Sequence, residues 1–387
     1  MLNIIHLLTA SESAPPSLDS MVKLYAEKMK FDFENAIWQA ANYVDDCDVR
    51  KVVEAYELLP DAVRIHLLMS PAMYENVRDF VFSGRSYESS KELFLRIESL
   101  VLDELAVCRS EPELVHDERR EVWSAMGDVG LSFREETGWS RFDAERLDSL
   151  MVLDFDSPYA RMVRPQSSTM RLPAEDFSEP ERAAVLAKCN RAFDYVAATA
   201  PSFAHMIRNY TRAVRLRKGE KSLGISSEHV TSTIGEIRLL NMQRDTVDDL
   251  KVAEMLIHES VHNLLSTYEY VQGAFLSTPD KKQCRPTSPW TGNPLPIASF
   301  THAIFVWFAL FNFSILESEK PGLSDEELHR IHERRNRYAA GFVGPVRLVD
   351  HLRGGIEFSQ EVLPAVDAVQ DTVLLTLDRI TPEAAVA

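Results

Sequence analysis

Apolar residues recur at intervals of three and four along most of the chain, a spacing that predicts helices. From Ser17 to Ala41 the recurring face carries Met21, Leu24, Tyr25 and Met29. Leu58-Leu59-Pro60-Asp61 reads as one helix ending and another starting, continued by Val63, Leu67 and Leu68. Further helices are expected from Pro71 to Phe82 and over 88–108, the second burying Leu93, Leu95, Ile97, Leu100, Val101 and Leu105. Between Thr137 and Pro180 the texture changes: Gly138, Asp156-Ser157-Pro158, Arg164-Pro165 and Leu172-Pro173 are turn signals, with a short strand read over Ser149 to Phe155. An organisational boundary is therefore expected near residue 175.

Beyond it, Ser178-Glu179-Pro180-Glu181 is a helix start, followed by an Ala-rich helix over Ala183 to Ala198. Pro201 opens another, expected to run to about Arg217, with Arg208, Arg212, Arg215, Arg217, Lys218 and Lys221 on a solvated face. Thr231 to Leu240 holds β-branched residues and partial alternation at Ile237 and Leu239, which predicts an edge strand. The next stretch is helical again, with Val252, Met255, Leu256, Ile257, Val261, Leu264 and Leu265 on a broad apolar face. The run from Phe300 to Leu316 is the most apolar, but it contains His302, Asn312 and Ser314 and is short for a membrane span, so a buried helix is expected.

That second apolar face contains His258-Glu259-Ser260-Val261-His262. On a helix the two His are one turn apart and share a face, so two imidazoles can grip one cation, while Glu259 sits about 100° round from the first. A polar pair in an apolar face is costly unless something coordinates it. The bland alternative is a pair of hydrogen-bonded surface histidines. The fold expected is mainly α with a small β-sheet (α+β): a zincin-like metal helix beside an edge strand, a second ligand-bearing helix, and a helical N-terminal part. In domain terms, 1–174 is a mostly helical region and 175–387 a metal-binding catalytic domain.

Composition narrows the partners. The 387 residues carry 42 basic and 59 acidic side chains, net -17, which argues against a general nucleic-acid binder and favours a basic peptide or a small ligand, with a bland acidic cytosolic surface as an equal explanation. The four Cys show no Cys-x-x-Cys spacing, and residues 1–9 lack a basic segment ahead of their apolar run, so no disulfide framework, signal peptide or membrane association is expected and the location read is cytoplasmic.

Two imidazoles make a weak site, and a catalytic metal normally takes three protein ligands. Glu269 lies on nearly the same helix face but about 10 Å along the axis from His262, out of direct reach on an unbroken helix. The elongated motif with a third His is absent, its Gly and His positions holding Leu265 and Tyr268. His302, near the start of the second helix after the turn-rich Cys284 to Pro296 loop, is the better candidate, with Glu317 and Asp280 as competitors.

Three blocks in order, Thr233 to Leu240, Leu256 to His262, and Ser288-Pro289-Trp290 followed by His302 to Val306, resemble the His-Glu-x-x-His peptide-modifying family of ribosomal peptide natural-product clusters, the iron- and 2-oxoglutarate-dependent peptide β-hydroxylases. The resemblance is clearest over about 225–315. Where members often carry Arg-Pro before the last His block, this chain has Leu295-Pro296. The resemblance implies Fe(II) bound by His258, His262 and His302, 2-oxoglutarate as cosubstrate, and a precursor peptide hydroxylated at a β-carbon. The cosubstrate's distal carboxylate needs a cation, for which Arg347 and Arg337 are candidates. The alternatives are a zinc metallopeptidase with Glu259 as general base, or a non-catalytic peptide-binding module that keeps the metal helix for stability.

Overall fold

The computed structural model describes residues 1, 4–5, 8–9, 17–44, 47–82, 87–114, 119–220, 222–276, 285–352 and 357–380. Within them the fold is mainly α with a small β part. Helices α1 (Ser17–Tyr43), α2 (Val49–Glu57), α3 (Asp61–Leu68), α4 (Pro71–Phe82) and α5 (Tyr87–Arg109) come first. Five strands follow: β1 (Glu121–Trp123), β2 (Val129–Arg134), β3 (Gly138–Asp143), β4 (Glu145–Leu147) and β5 (Met151–Asp154). Next are α6 (Pro158–Arg161), α7 (Glu179–Thr199), α8 (Pro201–Tyr210), β6 (Ala213–Arg217), β7 (Ser226–Glu228) and β8 (Glu236–Leu240). The chain continues through α9 (Asp249–Gln272), α10 (Ile297–Ser318), α11 (Asp325–Ala339), α12 (Leu348–Leu352) and α13 (Val362–Ile380).

Backbone packing separates two units, each discontinuous in sequence. Asp19–Ala192 and Arg208–Val252 make a sheet-bearing unit; Met1–Leu18, Phe193–Ile207 and Ala253–Ala387 make a helical one. The division does not fall near residue 175. Its reason lies in the five-stranded sheet, ordered β4-β5-β6-β8-β7, which pairs Met151–Asp154 with the much later Ala213–Arg217 and so crosses the expected boundary.

In the sheet unit, β5, β6 and β8 run parallel and their residues are buried throughout, with antiparallel β4 and β7 outside them. Central parallel strands covered on both faces are usually continuous apolar runs. Here they carry Asp154, Arg215, Arg217, Glu236 and Arg238, all buried. Two expectations fail at this point. The helix opened by Pro201 ends at Tyr210, and Ala213–Arg217 is a strand, because Val214 and Leu216 alternate with Arg215 and Arg217 at a period of two. The stretch read as an edge strand is interior: β8 pairs with β6 on one side and, over Arg238–Leu240, with β7 on the other. A smaller correction concerns Leu95, which is 46% exposed because it projects from the opposite side of α5 to Leu93, Ile97 and Leu100.

A separate three-stranded antiparallel sheet, β1-β2-β3, also belongs to the sheet unit. Gly130 lets the Trp123 ring lie against β2; a Cβ there would sit 2.9 Å from the indole.

The core of the helical unit is α10, where Phe300, Phe305, Phe308, Phe311 and Phe313 are at most 1% exposed. The 22-residue helix is apolar enough to cross a membrane, yet most of it is buried within the protein, as a core helix should be. Its N-terminal Thr301 hydroxyl donates to Ile297 O at 2.9 Å. The preceding loop is closed on itself by Leu295 N donating to Pro286 O at 3.0 Å and Gly292 N to Ser288 O at 2.8 Å. A tied loop of this kind fixes where α10 begins, and with it the position of His302.

Candidate metal centre

Helix α9 starts with Asp248 accepting from Lys251 N at 2.7 Å, a side-chain cap for an otherwise orphaned N–H. Leu256, Ile257, Val261, Leu264 and Leu265 are at most 1% exposed, so its apolar face is anchored as the sequence predicts. That anchoring sets the direction of His258, Glu259 and His262, whose donor atoms lie within 4.8 Å of one another. The two imidazole centroids are 5.1 Å apart with planes at 54°.

His302 arrives from α10. Its Nδ1 is 3.3 Å from Nδ1 of His262, and the two rings stack with planes 27° apart. Its Nε2 is 3.0 Å from Glu269 Oε2. A carboxylate accepts only, so Nε2 of His302 is the donor to Glu269, and in a neutral ring this leaves the Nδ1 lone pair on the side of His262. Two nitrogens each about 2.0 Å from one tetrahedral ion stand about 3.3 Å apart, so the separation of this one pair fits a shared metal, but His302 is not in the group whose donor atoms all lie within 4.8 Å of one another, which is His258, Glu259 and His262. The separation equally fits a hydrogen bond between the rings when no ion lies there.

Glu269 is itself fixed, since its Oε1 accepts from Phe275 N at 3.0 Å, while the Phe275 ring lies 5.7 Å from that of His302. Helix α9 is unbroken through Gln272, and Glu269 is not in the group formed by His258, Glu259 and His262. What the sequence reading missed is that a ring brought by another helix meets it. A carboxylate on the far nitrogen of a metal-binding His is a recurrent arrangement that fixes tautomer and orientation.

Accessibility is graded across the cluster. The His258 side chain is 35% exposed, whereas those of Glu259 and His302 are 4% and 6% exposed. An ion held here would be reachable from the His258 side and enclosed on the other. The donor chemistry, imidazoles with a carboxylate behind one of them and another beside them, suits a first-row divalent metal such as Fe(II) or Zn(II).

The other candidates go elsewhere. Glu317 is buried and accepts from Arg334 Nη2 at 3.0 and 2.8 Å, with the Tyr195 hydroxyl on the same carboxylate. Arg334 also reaches Glu254 at 3.1 Å, and Tyr338 donates to that residue as well. Burial alone would lower Arg334, but Glu317 beside it outweighs that and raises it; burial, and then Glu317, push Tyr195 up. This network braces α10 against α11 and holds no spare donor for a metal. Asp280 lies outside the described residues. Arg347, expected to be free for a cosubstrate carboxylate, is held by Asp371 at 2.6 Å and Asp367 at 2.8 Å, and Arg337 is exposed with its guanidinium 5.6 Å over the Tyr338 ring. Both acidic partners of Arg347 lie on α13 one turn apart, which draws that cation onto its own surface.

Trp290, in the Ser288-Pro289-Trp290 block, has a packing role. Its Nε1 donates to Tyr338 O at 2.8 Å, and its ring stacks on Trp307 of α10. The indole rests on Gly341, where a Cβ would come within 2.2 Å of the ring. A scan against protein-family models finds no match for the chain, and a search of curated proteins finds none either.

Proposed function

We propose that the protein is a mononuclear metal enzyme, an iron- and 2-oxoglutarate-dependent hydroxylase acting in the cytoplasm on the β-carbon of a residue in a ribosomally made precursor peptide. The observation that carries the metal is the line Glu269, His302, His262: a fixed carboxylate sets the proton of one imidazole so that its lone pair meets a second imidazole 3.3 Å away. The choice of chemistry rests on the resemblance of the three sequence blocks. When bound, ferrous iron with 2-oxoglutarate supplies the oxidising equivalents that insert one atom of dioxygen into a C–H bond.

The chain's own residues have definite tasks in this reading. His258, His262 and His302 hold the ion; Glu269 keeps the proton on His302 Nε2; buried Glu259 orients His258, 3.9 Å from its Nε2. Arg347, spent on Asp367 and Asp371, has no part in holding the cosubstrate.

A second reading is supported by Glu259 itself, whose carboxylate lies within 4.8 Å of both histidine donors. In a zinc metallopeptidase that carboxylate takes the proton of the attacking water. Incubation of the anaerobically loaded protein with a peptide encoded beside its gene, Fe(II), 2-oxoglutarate and air separates the two. Mass spectrometry should show a gain of one oxygen; cleavage without that gain reverses the ranking. Glu259→Gln should abolish a peptidase and leave a hydroxylase partly active.

A further inference from the structure

Helices α1, α2 and α3 of the sheet unit enclose a groove of about 680 Å³. Its lining follows the helical period: Ala26, Lys30, Phe33 and Ile37 recur every three or four residues along α1, and Val53, Tyr56, Ile65 and Leu68 line it from α2 and α3. The floor is aromatic, with the Phe33 and Tyr56 rings 4.9 Å apart. Ile65, on the wall, is 58% exposed. Nor does the apolar surface stop at the lining. Phe31 and Trp38, one turn beyond Glu27 and Glu34 on α1, are 65% and 56% exposed. Large apolar side chains left open around a groove with a polar rim mark a surface that a partner covers.

The rim is acidic on both sides. Glu27 and Glu34 stand on α1, and Glu57 and Asp61 at the junction of α2 and α3, against two bases, Lys30 and Arg64. Arg64 is taken by Asp61, and its guanidinium lies 5.7 Å over the Tyr56 ring. Lys30 reaches Glu34 only at 3.9 Å, and Lys23 reaches Glu27 at the same distance, with all four side chains at least 60% exposed. Pairs this open hold little energy and give way to a closer cation. Glu57 makes no ion pair among the described residues. An apolar floor between acidic walls suits an occupant that is apolar along one stripe and basic on its flanks.

The walls also select its conformation. They are helices, whose backbone groups are already paired, so an extended chain laid here would find no partners for its own N–H and C=O groups. A helix satisfies them internally. From Ala26 to Ile37 the groove follows α1 for about 16 Å, three turns of a docked helix. The longest stretches outside the described residues, 10–16, 277–284 and 381–387, do not join large apolar residues with basic ones, so the occupant comes from another molecule. A second copy, at net -17, brings the same sign as the rim.

We propose that this groove docks a short amphipathic helix of another polypeptide, apolar on the face that meets Phe33, Tyr56 and Ile65 and carrying Lys or Arg on both flanks to meet Glu27, Glu34 and Glu57. The site lies within residues 26–68 and is independent of the metal centre and of the function proposed for it.

The test uses the full-length protein and a fluorescein-labelled synthetic helical peptide of Leu and Lys, about 14 residues or four turns long, read by fluorescence anisotropy at about 0.15 M ionic strength. A Leu and Glu peptide of the same pattern is the second arm. The first peptide should bind saturably and one to one, and the second should not bind. Ile65→Lys and Glu57→Lys, both at exposed positions, should each weaken binding at least tenfold with the circular dichroism spectrum unchanged. Leu375→Lys, on α13 and as exposed as Ile65 at 58%, should leave it at the parental value. Absence of saturable binding by the unsubstituted protein overturns the proposal, and so does parental affinity in both groove variants or a matching loss in Leu375→Lys. Two further results assign the groove to another occupant and overturn it as well: one-to-one binding of benzyltrimethylammonium where the peptide fails to bind, and a dimer in sedimentation equilibrium that Ile65→Lys dissociates.

Discussion

The histidine cluster of the helical unit and the buried row Arg215, Arg217 and Arg238 of the sheet unit are opposite in electrical demand. In the first, ring nitrogens converge: Nδ1 of His302 lies 3.3 Å from Nδ1 of His262, while Nε2 of the same ring is 3.0 Å from Glu269. In the second, N–H groups stand in a row without enough oxygens to receive them. The first arrangement offers acceptors to a cation; the second leaves donors without an acceptor among the described residues. The difference also lies in how each is built. The histidines are aimed by two helices and stay partly open, whereas the arginines are aimed by strand register and are shut in. The histidine rings can meet through a hydrogen bond, while the strand-borne row bears the cost of its buried charge.

The largest effect should come from removing the acid that holds the row together. Glu236 lies between Arg215 and Arg238, which hold its carboxyl below the usual range despite burial. Glu236→Gln leaves both guanidinia short of charge and should cost about 3–5 kcal/mol in denaturant unfolding. A loss below about 1 kcal/mol would show that the row is solvated and the contrast with the histidines false.

A second measurement sharpens the contrast by asking what an uncompensated buried acid does in the same unit. Glu104 is buried, and burial raises its carboxyl from 4.5 to about 7 even though Ala125 N donates to it at 2.9 Å. A carboxyl with a raised folded value keeps its proton in the folded state. Its contribution to stability is full below pH 4.5 and disappears as pH rises to about 7, a loss of about 3 kcal/mol. His66, raised by Asp128 against the effect of burial, adds a loss of the same sign above pH 6.5. Melting curves at pH 5 and pH 8 should show the decline, and Glu104→Gln should flatten most of it. An unchanged slope in that variant would remove Glu104 as its source.

The smallest expected effect is at the histidines. Glu269→Gln leaves an amide oxygen to accept from His302 but removes the charge, and metal affinity should fall by about 10–100-fold with the fold intact. Competition with a chelator, followed by elemental analysis, measures it. Affinity equal to that of the parent would mean that His302 needs no carboxylate behind it.

Much of this was legible in the sequence. The helix boundaries at Pro60, Pro71 and Pro201 follow from local chemistry, and the alignment of His258 with His262 follows from helical period alone. The approach of His302 to His262 was not legible from local sequence, since nothing local distinguishes a histidine that meets another helix from a core histidine on an apolar helix. The strand Ala213–Arg217 was misread because charged positions were assigned to solvent. Their alternation with Val214 and Leu216 was present, but the acids that permit burial, Asp154 and Glu236, are 61 and 21 positions away. The interior position of β8 was hidden for a related reason: its outer neighbour, Ser226–Glu228, is three residues long and has no apolar alternation to announce it.

The stacked indoles of Trp290 and Trp307, centroids 5.8 Å apart and planes within 11°, supply an optical handle on the helix that carries His302. Two chromophores this close and parallel share their excitation, so a change in how the 285–296 loop sits on α10 alters the near-ultraviolet dichroism and the emission of that pair. Movement of that loop against α10 can thus be followed by light without attaching a label to the protein.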